Sequence, residues 1–311
     1  MTRPLVALTG ATGFIGRHLL RELPGHGYRI RVLLRRPAQV PPGATSAVIG
    51  DIASPGNMAA ALRDVDLVIH SAALAHAMSG RPEDDYRAIN TQGTLALARA
   101  AERAGVKRFV FLSSIRAQSG PAAAEVLTED LPARPTDAYG RSKLEAEEGL
   151  ADLRMDWVAL RPVLVYGAGV KGNMAQLLAL AGSRWPLPLG GLTGRRSLLS
   201  VDNLVAALDT VLRVDIPIRR PLIVADPEPV TVPEMITALR RGLGRGPGLI
   251  PVPTVALRAA AGLLGRAEAL SRIAESLVAD PAALKRLGWR PPVETPDGLA
   301  ALARESAAPG A

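Results

Sequence analysis

Short apolar runs alternate with helix-period stretches through the first half of the chain. The runs predict strands at 4–9, 29–34, 47–50, 66–71, 108–113 and 156–161, with helices between them near 13–23, 56–63, 84–104 and 138–154. In the last helix Ala146, Leu150 and Leu153 recur at helical spacing, which leaves Glu145, Glu147 and Glu148 for other faces. Strand–helix alternation implies right-handed crossovers and a parallel sheet whose ligands sit at the carboxyl ends of its strands. After 161 Gly and Pro become frequent, and a helix (202–213) and a strand (220–225) return to the sheet. The tail from 226 to 311 reads as mostly helical, with Pro-rich joints at 247–253 and 291–296. The expected design is α/β: a doubly wound lobe over 1–165, completed by about 200–225, and a smaller, mostly helical lobe from 166–199 and 226–311.

Composition narrows the chemistry. Aromatics are 3 % of 311 residues against 48 % hydrophobic, so Ala, Val, Leu and Ile must build the core. Cysteine is absent, which removes disulfides, a thiol nucleophile and thiolate metal ligands, and suits a reducing cytoplasm. The four histidines (His18, His26, His70 and His76) form no ligand-like pair, so no metal is expected. The formal charge is +8, carried by 37 Lys and Arg of which only Lys107, Lys143, Lys171 and Lys285 are lysine. The arginines are spread out, without the clustering and interleaved aromatics of a nucleic-acid surface, so the charge reads as general solubility with a bias toward small anions. The apolar stretch 255–279 is broken by Arg258, Arg266, Glu268, Arg272 and Glu275, too charged to span a membrane and better read as a helix packed on one side. Leu5 to Leu8 already reads as a strand, with no room for a targeting segment before it. A soluble protein with neither nucleic-acid nor membrane partners is expected.

Two motifs carry chemistry. Thr9-Gly10-Ala11-Thr12-Gly13-Phe14-Ile15-Gly16 joins the first strand to the first helix, where glycine lets a pyrophosphate approach the backbone and the amide-rich helix end. Tyr139 and Lys143 lie four apart at the start of a helix and share a face. A nearby ammonium favours phenolate and makes a poor base serviceable. Ser113-Ser114 ends the fifth strand at the same sheet edge and offers a hydroxyl for a substrate oxygen.

In this order the motifs resemble the short-chain dehydrogenase/reductase superfamily, a Rossmann-type fold, and within it the extended branch described as the NAD-dependent epimerase/dehydratase family, UDP-sugar 4-epimerases especially. The resemblance implies Ser114, Tyr139 and Lys143 as the catalytic set. It places the cofactor against Gly10, Thr12, Gly13, Phe14, Ile15 and Gly16. It adds Asp51 and Ile52 after the third strand, Ser71, Ala72 and Ala73 after the fourth, Asn90 on the next helix, and Pro162, with Tyr139 and Lys143 also touching the cofactor. For the substrate it implies Ser114, Arg116, Asn173 and Arg196, the last on a nucleotide-sugar diphosphate. Leu287-Gly288-Trp289-Arg290-Pro291 resembles the family's closing motif. His70 is expected to be packed beside the cofactor, and it and His76 are left outside catalysis.

Absences then choose among reactions. Family 4,6-dehydratases carry Asp-Glu after the strand-five hydroxyl; here Ile115-Arg116 follows Ser114. Reductive epimerases use a Cys that this chain lacks. A nucleotide-sugar 4-epimerase needs only the Tyr, a supporting hydroxyl and a held cofactor, and is the leading expectation. The alternative is an NADPH-dependent reductase of a 4-keto sugar or other carbonyl. At the end of the second strand Leu34-Arg35-Arg36-Pro37 has no acid for the ribose hydroxyls, and Arg35 and Arg36 lean toward NADP where an epimerase leans toward NAD. A non-catalytic dinucleotide sensor is the third reading. The resemblance also implies a homodimer paired through helices 84–104 and 138–154, with Ala96, Ala100 and Ala101 permitting close approach.

Overall fold

The computed structural model describes residues 3–74, 81–263, 265, 270 and 274–307. Its strands are β1 (Leu5–Thr9), β2 (Arg29–Leu34), β3 (Thr45–Val48), β4 (Leu67–His70), β5 (Arg108–Leu112), β6 (Asp156–Pro162), β7 (Leu164–Tyr166), β8 (Arg195–Arg196), β9 (Leu198–Ser200), β10 (Arg220–Val224) and β11 (Val230–Thr231). Seven of them form one parallel sheet in the order β10-β6-β5-β4-β1-β2-β3. The order reverses between β1 and β4, the crevice where doubly wound sheets bind nucleotides. β1, β4 and β5 are buried throughout, as strands covered on both faces must be.

The helices are α1 (Phe14–Glu22), α2 (Met58–Ala61), α3 (Glu83–Tyr86), α4 (Gly93–Arg103), α5 (Ala138–Leu150), α6 (Asn173–Ala181), α7 (Val201–Arg213), α8 (Val232–Gly242), α9 (Thr254–Leu263), α10 (Ala282–Arg286) and α11 (Thr295–Ala307). On one sheet face α1 and α7 bury Leu19, Leu204, Leu208 and Val211 against β1, β5 and β6. On the other, α4 and α5 bury Leu97, Ala101, Ala146 and Leu150. A third apolar cluster joins Tyr166, Met174, Leu198, Met235, Leu239, Leu299 and Leu302, from the segments flanking the sheet in sequence. The tail does not keep to that cluster: Leu277, Ala279, Leu284 and Trp289 pack into the core beside α7.

Several predicted elements shift for physical reasons. The third strand falls at Thr45–Val48, two residues early, because β3 is the sheet edge and tolerates exposed Thr45 and Ser46 while Ile49 turns inward. The helix expected over 84–104 is interrupted by a π-helical stretch, Arg87–Gln92, which turns Asn90 and Thr91 into the interior. Helix α5 stops at Leu150, where Arg219 donates to the carbonyls of Leu153 (2.6 Å) and Arg154 (2.9 Å) just beyond it. The stretch 255–279 is not one helix. Only Leu257 and Ala261 of α9 lean on the third cluster, and Leu277 and Ala279 run extended, bridging to Arg196 and Leu127. Residues 264, 266–269 and 271–273 of that stretch, and His76, lie outside the described residues. No helix among the described residues is long and apolar enough to cross a membrane.

Candidate active site

The glycine turn is built by contact. Gly10 has φ +71°, and a Cβ there would lie 2.6 Å from the Ala72 nitrogen, so β1 and the segment after β4 meet with no side chain between them. Thr9 completes the joint: its Oγ1 accepts from the Ser71 and Ala72 amides, both at 3.1 Å, and faces His70 Nδ1 at 2.7 Å. His70 Nε2 lies 3.0 Å from Thr94 Oγ1, which itself donates to the Asn90 carbonyl at 2.6 Å. Thr94 therefore accepts from His70, and His70 Nδ1 accepts from Thr9. Burial, with the Lys143 charge, pushes His70 down to about 3, so the ring is neutral and structural, as the sequence suggested.

The cradle fits a dinucleotide pyrophosphate. Gly13 is the N-cap of α1 and makes no side-chain cap, leaving first-turn N–H groups to an anion. A Cβ on Gly13 would meet only the Gly10 carbonyl, at 3.2 Å, and open space otherwise. Thr12 and Gly13 are exposed, Phe14 and Ile15 half-buried, and Gly16 buried against the Gly10 carbonyl. Arg35 and Arg36 are exposed at the end of β2, and Arg35 pairs with Asp51 at 3.0 Å. Asp51 also accepts from the Ala53 amide at 3.1 Å, and Ile52 beside it packs against the α4 face of the core. Ser71 and Ala72 are half-buried and Ala73 exposed, all just beyond the cradle, while Pro162 is buried beside Val224 where β6 ends.

Helix α5 brings the remaining chemistry together. Asp137 caps it, accepting from the Gly140 amide at 2.7 Å, and also pairs with the Arg116 guanidinium. Gly140 is required here, since a Cβ would fall 2.2 Å from the Arg116 carbonyl. This close approach sets Tyr139 in hydrogen-bond contact with Ser114 and edge-on to Tyr86, with ring centroids 6.4 Å apart. Ser114 Oγ accepts from the Arg116 amide at 3.1 Å, opening a short 3₁₀ turn. Lys143 is buried, donates to the Leu112 carbonyl at 2.8 Å, and sits 5.9 Å from the Tyr139 ring centroid and 4.4 Å from that of Phe111. Asn90 holds the Leu74 backbone through both its amide and carbonyl (2.8 and 3.1 Å) and donates to Ser142 Oγ at 3.1 Å.

The electrostatics differ from the sequence expectation. Burial pushes Tyr139 up to about 12, opposed by the Ser114 hydrogen bond and the Arg116 charge. Lys143 is itself pushed down to about 7 by burial, opposed by Glu147. Positive charge beside the ring favours phenolate against this burial.

Other expected residues are placed differently. Arg116 does not extend freely toward a sugar; its guanidinium is held by Asp137 while its Nε is buried without a partner. Arg196, in β8, donates to the carbonyls of Glu275 and Pro121, both at 3.0 Å, and lies close enough to Arg116 for the two charges to repel. Asn173 is the exposed first residue of α6. It neither caps that helix, where Gly172 is the N-cap, nor hydrogen-bonds any residue of the Ser114–Tyr139–Lys143 set among the described residues. Ala100 and Ala101 are buried within the chain's own core, so they cannot also line a dimer contact; Ala96 is half-buried. Glu147, expected on another face, is buried and ion-paired to Arg161. No group of three or more His, Asp or Glu among the described residues could hold a metal.

A Rossmann sheet with a Ser–Tyr–Lys set beside its glycine turn defines a dehydrogenase-type enzyme. Residues 6–220 match the NAD dependent epimerase/dehydratase family, and the chain belongs to that family. A UDP-glucose 4-epimerase of Vibrio cholerae is 35 % identical over 306 residues, covering 94 % of this chain and 93 % of that protein. MoeE5, solved in complex with UDP-glucose and NAD, is 28 % identical with a TM-score of 0.73, covering 97 % of this chain and 98 % of its own. The UDP-glucuronic acid 4-epimerase of Bacillus cereus, solved with NAD, shares the fold at 20 % identity, with a TM-score of 0.75 and coverage of 96 % and 95 %.

Proposed function

We propose that this chain is an NAD-dependent UDP-hexose 4-epimerase (or UDP-N-acetylhexosamine 4-epimerase) acting through a 4-keto sugar. The observation that carries the reading is the convergence of Ser114 and Tyr139, in hydrogen-bond contact, with Lys143 beneath the ring and a glycine cradle one strand away. The full-length likeness to a UDP-glucose 4-epimerase supports it. Bound NAD supplies reversible hydride acceptance and a positive ring charge. Tyr139 Oη takes the proton of the sugar 4-hydroxyl and later returns it. The Ser114 hydroxyl donates to the same oxygen and stabilises it as the carbonyl forms. Arg116 lowers the phenol, and the Lys143 ammonium, 5.9 Å from the ring centroid, is placed to favour its ionised form as well. Arg196 is assigned to the substrate diphosphate, with Asn173 at the outer rim.

The reductase alternative rests on Arg35 and Arg36. Arg35 is engaged with Asp51 at 3.0 Å, which leaves Arg36 as the basis for a 2′-phosphate contact, and the relatives solved with NAD favour NAD. Denaturing the purified protein tests the choice. Release of stoichiometric NAD, with UDP-hexose interconversion and no added cofactor, is expected; an empty protein that consumes NADPH only with a keto substrate would replace the epimerase with the reductase. Arg196→Ala is expected to raise the KM for the nucleotide sugar about tenfold, the scale of a lost charged hydrogen bond, with unchanged NAD content. Equal loss of both would mean that Arg196 serves the whole lobe and not the substrate. A cytoplasmic homodimer paired through the outer faces of α4 and α5 belongs to the same reading, and a solution mass of one chain would remove the dimer.

A further inference from the structure

Beneath the Ser114–Tyr139–Lys143 set lies a closed polar network that the reaction as described leaves unused. Glu147 follows Lys143 by one helical turn and is 4 % exposed. Its carboxylate accepts from Arg161 Nε (3.1 Å to each oxygen), from Arg161 Nη2 (2.6 Å) and from the Ser113 hydroxyl. Arg161 Nη1 donates to Gln118 Oε1 at 2.9 Å, and Gln118 Nε2 in turn donates to the Thr128 carbonyl, while the Gln118 main-chain carbonyl accepts from the Arg134 amide at 2.7 Å. Each member adjoins a working part: Ser113 precedes Ser114, Gln118 ends the turn that Ser114 opens, and Arg161 precedes Pro162. The Ser113 amide also donates to the Leu160 carbonyl at 2.8 Å, tying the ends of β5 and β6 together.

The charges are as telling as the bonds. Three charged groups are buried here, Lys143, Arg161 and Glu147, and Glu147 is the single anion among them. Lys143 is also faced by His70, neutral, from β4 and by Tyr139 on its own helix; Phe111 of β5 is uncharged. A buried ammonium is sustained only by a nearby anion. Arg161 alone would need a carboxylate anywhere along its fork. The placement one turn from Lys143 and against Ser113 is what a fold-stabilising pair does not require.

We infer that Glu147 is a positioning residue for the reaction: wedged between Arg161, Ser113 and the Lys143 turn of α5, its carboxylate keeps Lys143 cationic and fixed under the Tyr139 ring. This rests on the assignment of Tyr139 and Lys143 to catalysis. The test is the pH profile of kcat for UDP-hexose interconversion by the NAD-loaded enzyme. In Glu147→Gln the alkaline limb is expected to move down by about one pH unit, because removing the anion weakens the ammonium. The KM is expected to stay within about twofold. Glu147→Asp, which keeps the charge, is expected to restore the limb.

Glu147→Gln leaves Arg161 buried without a counter-ion, so the double variant Glu147→Gln with Arg161→Gln is the partner measurement. It removes the stranded charge together with the anion, so the limb should stay displaced from the wild-type position, since the anion that supports Lys143 is still missing. A folded variant, single or double, whose lower activity keeps the wild-type limb would reduce Glu147 to a structural ion pair and overturn the inference. Full activity in Tyr139→Phe would instead sink the catalytic assignment itself, so the two failures are distinct.

Discussion

Tyr139→Phe should lower epimerisation by about 10³-fold, within the range for removing a positioned acid–base group, while leaving bound NAD and the melting temperature unchanged. The ring itself packs edge-on to Tyr86 and over Lys143, and Phe preserves both contacts. What is lost is the oxygen bonded to Ser114. The site keeps no substitute for it: Ser114 Oγ already accepts from the Arg116 amide, and a Ser hydroxyl has no ionised form near neutrality. Lys143 is turned to the Leu112 carbonyl. Turnover of the NAD-loaded variant, followed by separation of the UDP-hexoses, measures the effect; a fall of less than about tenfold would move the acid–base role to another group.

Gly10→Ala is the second large effect, and it acts through the fold. The left-handed backbone at Gly10 costs an L residue about 1–2 kcal/mol. A methyl 2.6 Å from the Ala72 nitrogen adds about 1–3 kcal/mol as β1 and the post-β4 segment separate. That separation breaks the contacts of the Ser71 and Ala72 amides with Thr9, which hold the floor of the cradle. A melting temperature lower by roughly 5 °C or more and loss of co-purifying NAD are expected, measured by calorimetry and by nucleotide release. NAD retained at wild-type level would mean that the turn does not seat the pyrophosphate.

How much of this was readable in advance depends on range. The sheet was legible because each buried parallel strand is a short apolar run, as in Val6 to Leu8 and Phe109 to Leu112, and the periodicity changes sharply between strand and helix. The cradle was legible because glycine at that turn has a local reason. The Tyr139–Lys143 pair was legible because four residues make one helical turn. Glu147 was not: in α5 it alternates with exposed and half-buried acids, and only Arg161, 14 residues on and one strand away, makes it an interior residue. Asp137 left a signal, an acceptor directly before a helix, but its second duty toward Arg116 is long-range. The π-helical stretch at Asn90 has no composition of its own. It is imposed by Leu74 and Ser142, which the Asn90 side chain must reach at once.

The arginines that give the chain its basic character point, in several cases, inward. Buried Arg108 gathers the carbonyls of Val211, Val214 and Ile216, and buried Arg240 those of Ala181, Ser183, Trp185, Pro247 and Gly248; at the surface, exposed Arg219 does the same for those that follow α5. Each guanidinium works as a rivet where a helix ends and a loop leaves, a job that lysine, with three donors radiating from one point, does badly. A chain with few aromatic rings to lock its joints has fastened them with planar cations. Its high isoelectric point is thus in part a record of carpentry.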